Sequence, residues 1–241
     1  MVNVIIPECG QKSLDFYLGM EEFVACNVGE DAFFVWQTAP TVIIGRNQEL
    51  DAEVNTDYCK DHDIRVYRRR SGGGCVYSDC GNIMISHISH RGEVTAVFDG
   101  YLSALTASLC ALGLEAVYSE RNDVLIGGRK VSGNAFQQLP GKSIVHGTLL
   151  YSTDFVMLEN AIRPPVEKLL RHGVPSVRQR VGNLSDMLSP GWEAVASSSG
   201  FKGIDALKEY LVSTFCDGEI VLGSEDILRI EEIAKQYTRL V

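Results

Sequence analysis

Residues 68–82 read RRRSGGGCVYSDCGN, three arginines and a serine running into three consecutive glycines. Arginine offers a planar fork of donors that fits phosphate or carboxylate. Glycine has no Cβ, so successive backbone N–H groups can close on an anion. Together they describe a cradle for a phosphate. The segment is not a P-loop, because no Gly-Lys-Ser/Thr follows, and the G-x-G-x-x-G spacing of a dinucleotide fingerprint is absent. A glycine-rich hairpin with solvated arginines is the plainer alternative; RRRS in front and D-x-G-N behind (Asp79 to Asn82) favour the cradle.

Two further segments carry chemistry. Residues 121–136, RNDVLIGGRKVSGNAF, place Lys130 between a tight turn and a run of small residues. A lysine held over a floor of small side chains is a fixed positive charge, suited to a carboxylate becoming an acyl phosphate anhydride. Read alone, a lysine beside a hairpin is ordinarily solvated. In VHGTLL, residues 145–150, His146-Gly147 interrupts a strand pattern, and a hydrogen-bonded core histidine is the better isolated reading.

Regular elements must hold these residues in place. Apolar side chains at Leu14, Tyr17, Leu18, Phe23 and Val24 predict an amphipathic helix over 11–26. DAFFVWQ and TVIIGR (31–37 and 41–46) read as adjacent strands joined by a turn at Ala39-Pro40. Residues 53–63 read as a short helix and 65–69 as a strand feeding the glycines, with CVY and NIMISHIS as strands beyond. Leu102, Leu105, Leu109 and Leu112 mark one face of a helix closed by Gly113. EAVY, DVLI, KVSGNAFQQ and SIVHGTLLYS read as strands, with GGRK as a hairpin turn. Helices are expected at 154–161, 165–172, 204–216 and 224–238, and the softest boundary at 189–203. The fold class is α+β: a mixed sheet with flanking helices to about residue 190, then a helical tail over 191–241.

Composition sets bounds. The chain has 241 residues, 45% of them apolar, enough for one full core. A net charge of −9 argues against general nucleic-acid affinity. No apolar run approaches the roughly 18 residues of a membrane span, and no signal-peptide pattern opens the chain. Seven cysteines without regular spacing fit a reducing compartment better than a disulfide framework. Cys59, His62, Cys75, Cys80, His87 and His90 match no closed zinc spacing. The expectation is a cytoplasmic protein with neither nucleic acid nor membrane as partner.

Behind the early helix, five segments follow in order: APTVIIGRNQ (39–48), RRRSGGGCVYSDCGN, RNDVLIGGRKVSGNAF, VHGTLL and SVRQRVGNLSDML (176–188). The combination resembles the catalytic domain of the lipoate–protein ligase A family. That resemblance implies the biotin/lipoate-ligase fold, a mixed, largely antiparallel sheet with helices packed around it. It implies two steps: lipoate and Mg-ATP give lipoyl-AMP and pyrophosphate, and an acceptor lysine then takes the lipoyl group as an amide. The acceptors would be lipoyl domains of 2-oxoacid dehydrogenase complexes or the glycine cleavage H protein. By position, it implies that Arg69, Gly73, Gly74, Cys75, Val76 and Tyr77 hold the nucleotide, with Asn122 and Asp123 beside it and Asp123 near Mg²⁺. Lys130 would contact both the carboxylate and the α-phosphate. Arg69, Ser71, Gly72, Gly133, Ala135, His146 and Gly147 would line the lipoyl site, and Trp36, Val42 and Ile44 are candidates for its apolar wall.

The chain departs from the family at Ser78, where histidine is usual, and at Cys75, where alanine is usual. It ends close to where many members continue into an accessory domain. The expectation is therefore a single catalytic domain over 1–241 with that accessory domain absent. Such a chain either activates lipoate alone, works with an accessory subunit, or transfers a preformed acyl group. A cysteine-dependent octanoyl or lipoyl transferase needs a thiolate, and no cysteine lies between Cys110 and Cys216, where relatives of that kind carry it. Arg163, Lys168, Arg171, Arg178 and Arg180 form a basic group suited to an acidic acceptor domain.

Overall fold

Alternation along the strands divides the molecule into faces. In a computed structural model that describes residues 1–7, 10–90, 93–163 and 180–241, eight strands form one sheet. Their spatial order is β11 (Gly218–Val221), β1 (Val2–Ile5), β2 (Ala32–Trp36), β6 (Asn82–Ser89), β10 (Lys142–Leu150), β9 (Arg129–Leu139), β8 (Asp123–Ile126) and β7 (Ala116–Tyr118). β11, β1 and β2 run parallel, and every other neighbour is antiparallel. A second sheet has the order β4 (Arg65–Arg68), β3 (Thr41–Ile44), β5 (Val76–Ser78). The mixed, largely antiparallel α+β architecture agrees with the sequence reading.

Phe33, Ile83 and Ile85 project from one side of the large sheet, and Phe34, Trp36, Met84 and Ile88 from the other. Helices α4 (Val94–Ala111) and α7 (Gly203–Phe215) cover the first side; α1 (Leu14–Asn27) and α8 (Ser224–Ala234) cover the second. The small sheet packs Val42, Ile44, Val66 and Tyr77 against α3 (Thr56–Asp61) and α5 (Phe155–Ala161). Two short helices, α2 (Leu50–Glu53) and α6 (Glu193–Ala196), and a 3-10 turn at Leu184–Asp186 complete the described elements. Contrary to the sequence reading, α4 has the length and apolar composition of a membrane span. Its Leu102, Leu105 and Leu109 are instead buried on the sheet, and Gly113, at φ +85°, follows its end.

Two expectations change. β2 and β3 are not a pair: β2 joins β6, whereas β3 lies between β4 and β5. Pro40 has no N–H to continue a ladder, and Thr41 Oγ1 donates to Ala39 O at 2.8 Å, so the connection bends between sheets instead of reversing. The tail is not only helical, because β11 adds to the sheet beside β1, and Leu240 N–H donates to Val66 O at 2.7 Å on β4. The helix expected at 165–172 lies outside the described residues.

D-x-G-N, which looked like the far flank of a phosphate site, is a structural turn. Asp79 accepts from Gly81 N–H at 2.8 Å and Asp154 N–H at 2.9 Å, while Thr153 Oγ1 donates to Asn82 Oδ1 at 2.8 Å. Asn183 then grips both backbone groups of Thr153, at 3.0 and 3.1 Å. Burial pushes the Asp79 carboxyl above its ordinary range.

Gly19 lets α8 lie close against α1, since a Cβ there would sit 2.9 Å from Ile230 O and 3.0 Å from Ala234 N. Gly19→Ala is expected to lower stability by about 1–3 kcal/mol in urea titration. Gly29→Ala, which meets open space, should change it by less than about 0.5 kcal/mol.

Candidate functional site

A cleft of about 200 Å³ opens between α1, the sheet face beneath it and the glycine loop. One end is apolar: Leu14 and Leu18 from α1, Trp36 and Met84 from the large sheet, and Ile43 from β3. The other end sets Gly73, Gly74, Cys75 and Val76 opposite Arg121, Asn122, Asp123 and Lys130. The cleft thus combines apolar side chains with a glycine loop and a cluster of charged side chains.

The three arginines do not reach outward for a ligand. Arg68 donates to the carbonyls of Gly45, Arg46 and Gln48 at 3.1, 3.2 and 2.6 Å. Arg70 pairs with Glu22 at 2.6 Å, donates to Gln236 at 2.7 Å, and lies 4.8 Å from the centre of the Tyr237 ring. Arg69 is buried and lines the cleft, but its N–H groups serve the Gly72 carbonyl twice (3.1 and 2.8 Å), Gly74 (2.7 Å) and Ile43 (3.2 Å). Desolvation lowers its pKa to about 10, so it stays charged at neutral pH. In a trans peptide C=O and N–H point opposite ways. With the Gly72 and Gly74 carbonyls turned onto the guanidinium, the N–H groups of Gly73 and Cys75 are turned away from it. What this loop offers an anion is therefore backbone.

Two glycines permit that shape. Gly73 sits at φ +90°, in the left-handed region that L side chains rarely adopt. A Cβ on Gly45, just beyond β3, would lie 2.2 Å from Gly73 O, so the absent side chain is what lets the loop come this close.

Across the cleft, the β8–β9 hairpin turns at Gly127 and Gly128, both with positive φ, and delivers Lys130. Lys130 Nζ lies 2.7 Å from Asp123 Oδ1, folded over Gly133, where a Cβ would come within 2.6 Å of Nζ. Gly182 N–H donates to Lys130 O at 3.0 Å, so the VGN segment braces the lysine's main chain.

A buried polar chain joins the loop to α1. Ser71 Oγ is 2.6 Å from His146 Nε2, and His146 Nδ1 is 3.1 Å from Glu21 Oε2. Ser86 Oγ donates to Glu21 Oε1 at 2.6 Å, and Trp36 Nε1–H donates to Ser86 Oγ at 2.9 Å. His146 and Glu21 line the cleft. Ser71, 3% exposed, lies behind it.

Of the residues expected at the site, Arg69, Gly73, Gly74, Cys75 and Val76 come together on one wall, and Asn122, Asp123, Lys130, Gly133, Ala135, His146 and Gly147 on the other. Ser71, Gly72 and Tyr77 do not line the cleft; Tyr77 pairs with Val42 and is buried in the small-sheet core. Trp36 is in the apolar wall, but Val42 and Ile44 face that same small-sheet core and Ile43 faces the cleft between them. The sequence reading missed Leu14, Leu18, Glu21, Ile43, Met84, Arg121, Asn134 and Thr148. Glu21 had a signal: with Leu14 and Leu18 it follows i, i+4, i+7 spacing, a carboxylate on an apolar helix stripe.

Fold and cleft together define a domain with an apolar pocket beside a glycine loop shaped from beneath by a buried arginine. A family model described as the lipoyl protein ligase A/B catalytic domain matches residues 14–198. The chain is 33% identical over 229 residues to lipoate–protein ligase 1 of Staphylococcus aureus, which covers 92% of this chain and 67% of that protein. It is 35% identical over 174 residues to lipoate-protein ligase LplJ of Bacillus subtilis, covering 71% of this chain and 53% of that protein. A solved bi-partite lipoate protein ligase from Thermoplasma acidophilum superposes with TM-score 0.77 at 26% identity, over 98% of this chain and 91% of that one. The chain belongs to the lipoyl protein ligase A/B catalytic-domain family.

Cys75 is the one cysteine among the described residues that lines the cleft, and burial pushes its thiol up to about 12. At pH 8 iodoacetamide is expected to label the exposed Cys26, Cys80 and Cys110 and leave Cys75 as thiol, read by peptide mass spectrometry. Labelling of Cys75 as fast as the other three would contradict the raised pKa.

Proposed function

We propose that this chain is the catalytic unit of a lipoate–protein ligase, activating lipoate with Mg-ATP and passing the lipoyl group to a lysine of a lipoyl-acceptor domain. The observation that carries the reading is the position of Lys130, between an apolar channel and a backbone cradle in one cleft. An acyl chain seated among Leu14, Leu18, Trp36, Ile43 and Met84 has its carboxylate toward Lys130, and a nucleotide whose phosphate sits on the Gly73 and Cys75 N–H groups brings Pα to the same point. The carboxylate attacks Pα, the acyl–O–P bond forms, and pyrophosphate leaves with the bonding electron pair. Lys130 holds oxygens of both reactants, meeting charge that is shared between them in the transition state. Asp123 keeps the ammonium in place.

Mg²⁺ enters as part of the substrate. Among the described residues no group of three ligating side chains is present, and Asp123 is the carboxylate at the anion end. One carboxylate with phosphate oxygens and water is a usual Mg²⁺ environment. In the second step the acceptor ε-amine attacks the acyl carbon and AMP departs. The acceptors in this reading are lipoyl domains of 2-oxoacid dehydrogenase complexes or the glycine cleavage H protein, and the setting is cytoplasmic. Of the basic group suited to an acidic acceptor, Arg163 and Arg180 lie within the described residues; Arg163 donates to Asp51 O at 3.0 Å, and Arg180 is exposed.

A second reading, transfer alone with activation assisted by another chain, is favoured by the likeness to a bi-partite ligase that this chain covers almost end to end. A cysteinyl acyl-enzyme is disfavoured, since a thiol at about 12 is almost wholly protonated at neutral pH.

Intact mass of an apo acceptor domain separates these readings. Incubation with lipoate, ATP and Mg²⁺, and separately with synthetic lipoyl-AMP, is expected to add one lipoyl group in both. Addition from lipoyl-AMP alone would identify a transfer unit, and no addition in either would reject the ligase reading. Lys130→Ala is expected to reduce modification from lipoate and ATP by about 100-fold or more while the protein stays folded.

A further inference from the structure

Because Arg68, Arg69 and Arg70 are committed to carbonyls, Glu22 and Gln236, the remaining cations that line the cleft lie on the opposite wall. Among the described residues there are two at the anion end, Lys130 and Arg121. Lys130 is matched by Asp123 at 2.7 Å. Arg121 is exposed, and among the described residues its guanidinium has no hydrogen-bond or ion-pair partner.

The backbone beneath Arg121 is nonetheless fixed. Asn122 N–H donates to Ser119 O at 3.0 Å, and Ser119 Oγ accepts from the N–H groups of Arg121 and Asp123 at 3.3 and 3.4 Å. Asn122 adopts φ +65°, an unfavourable conformation for a side-chain-bearing residue, and Asn134 Nδ2 holds its carbonyl at 3.0 Å. Asn134 is itself held by Ser132 and by Tyr101 Oη. Strain kept in place by surrounding hydrogen bonds is found where a turn must aim a side chain. Here it sets an unpartnered arginine at the rim of the cleft.

We infer that Arg121 binds the β- and γ-phosphates of the nucleotide and receives the charge that builds on pyrophosphate as the Pα–O bond breaks. The inference rests on the proposal that this chain uses ATP. The backbone cradle and Lys130 account for the α-phosphate, which ATP, AMP and lipoyl-AMP share; the outer phosphates need a further donor, and a planar guanidinium matches them in two-point contact. Arg121 therefore acts in activation and has no part in transfer.

Calorimetric titration of Arg121→Ala with ATP and Mg²⁺, AMP and lipoyl-AMP tests this, together with transfer from lipoyl-AMP to an apo acceptor domain. ATP binding is expected to weaken about tenfold or more, with AMP and lipoyl-AMP affinity and the transfer rate within about twofold of wild type. Arg121→Lys should recover part of the ATP affinity, since it restores the charge without the fork. Unchanged ATP affinity overturns the inference, as does equal weakening for all three ligands. A loss confined to transfer would place Arg121 at the acceptor interface and overturn it too. Wild-type protein that binds lipoyl-AMP but not ATP removes both activation and this role; wild-type protein that binds none of the three rejects the ligase reading itself.

Discussion

A buried positive charge organises the site. Placing the Arg69 guanidinium inside the protein is costly unless its donors are satisfied, and the nearest acceptors are carbonyls of its own loop and of β3. Satisfying it turns the carbonyls of Gly72 and Gly74 toward the guanidinium, and the N–H groups of Gly73 and Cys75 point the other way. In the proposed function the arginine makes an anion site at one remove, by orienting backbone dipoles. A side chain lying on the ligand would be free to bend away; a peptide plane tied to a buried charge is preorganised, which is what developing charge requires.

The flanking residues extend the same control outward. Arg70 reaches Glu22 and Gln236, so the loop is tied to α1 and to the segment after α8. Ser71 reaches His146 and through it Glu21. Adjacent glutamates on α1, Glu21 and Glu22, therefore take hold of adjacent residues 71 and 70. Ser71–His146–Glu21 has the connectivity of a hydrolase triad, yet the serine lies behind the cleft and Glu21 is also tied to Ser86. Its effect is to fix that wall of the cleft.

Much of this was legible in the residues. Lys130 beyond a two-glycine turn, small residues on its strand, and glycines suited to an anion all declare themselves by type and spacing, and the structure brings them to one cleft. What the residues do not declare is direction. Three successive arginines have the right chemistry for phosphate, and only the fold shows that Arg68 and Arg69 face main-chain carbonyls and that Arg70 faces α1 and the tail. The β3 wall shows the same limit at finer grain. Val42 and Ile44 share one face and Ile43 the other; period-two alternation gives the pairing but not which face meets the cleft.

In the proposed function one cleft serves two reactions. Both steps act on the same acyl carbon, once as part of an attacking carboxylate and once as an electrophile, so the acyl chain has no reason to move between them. A fixed apolar end, held by Trp36 and by Leu14 and Leu18 of a braced helix, keeps that carbon in place. The parts that must change are the pyrophosphate leaving and the acceptor lysine arriving. Both are served by the open end of the cleft, where the side chains are polar and Arg121 is exposed. Rigidity at the acyl end and access at the phosphate end follow from one placement: a channel closed by packed helix and sheet, opening onto a loop whose shape is set from beneath by a buried guanidinium.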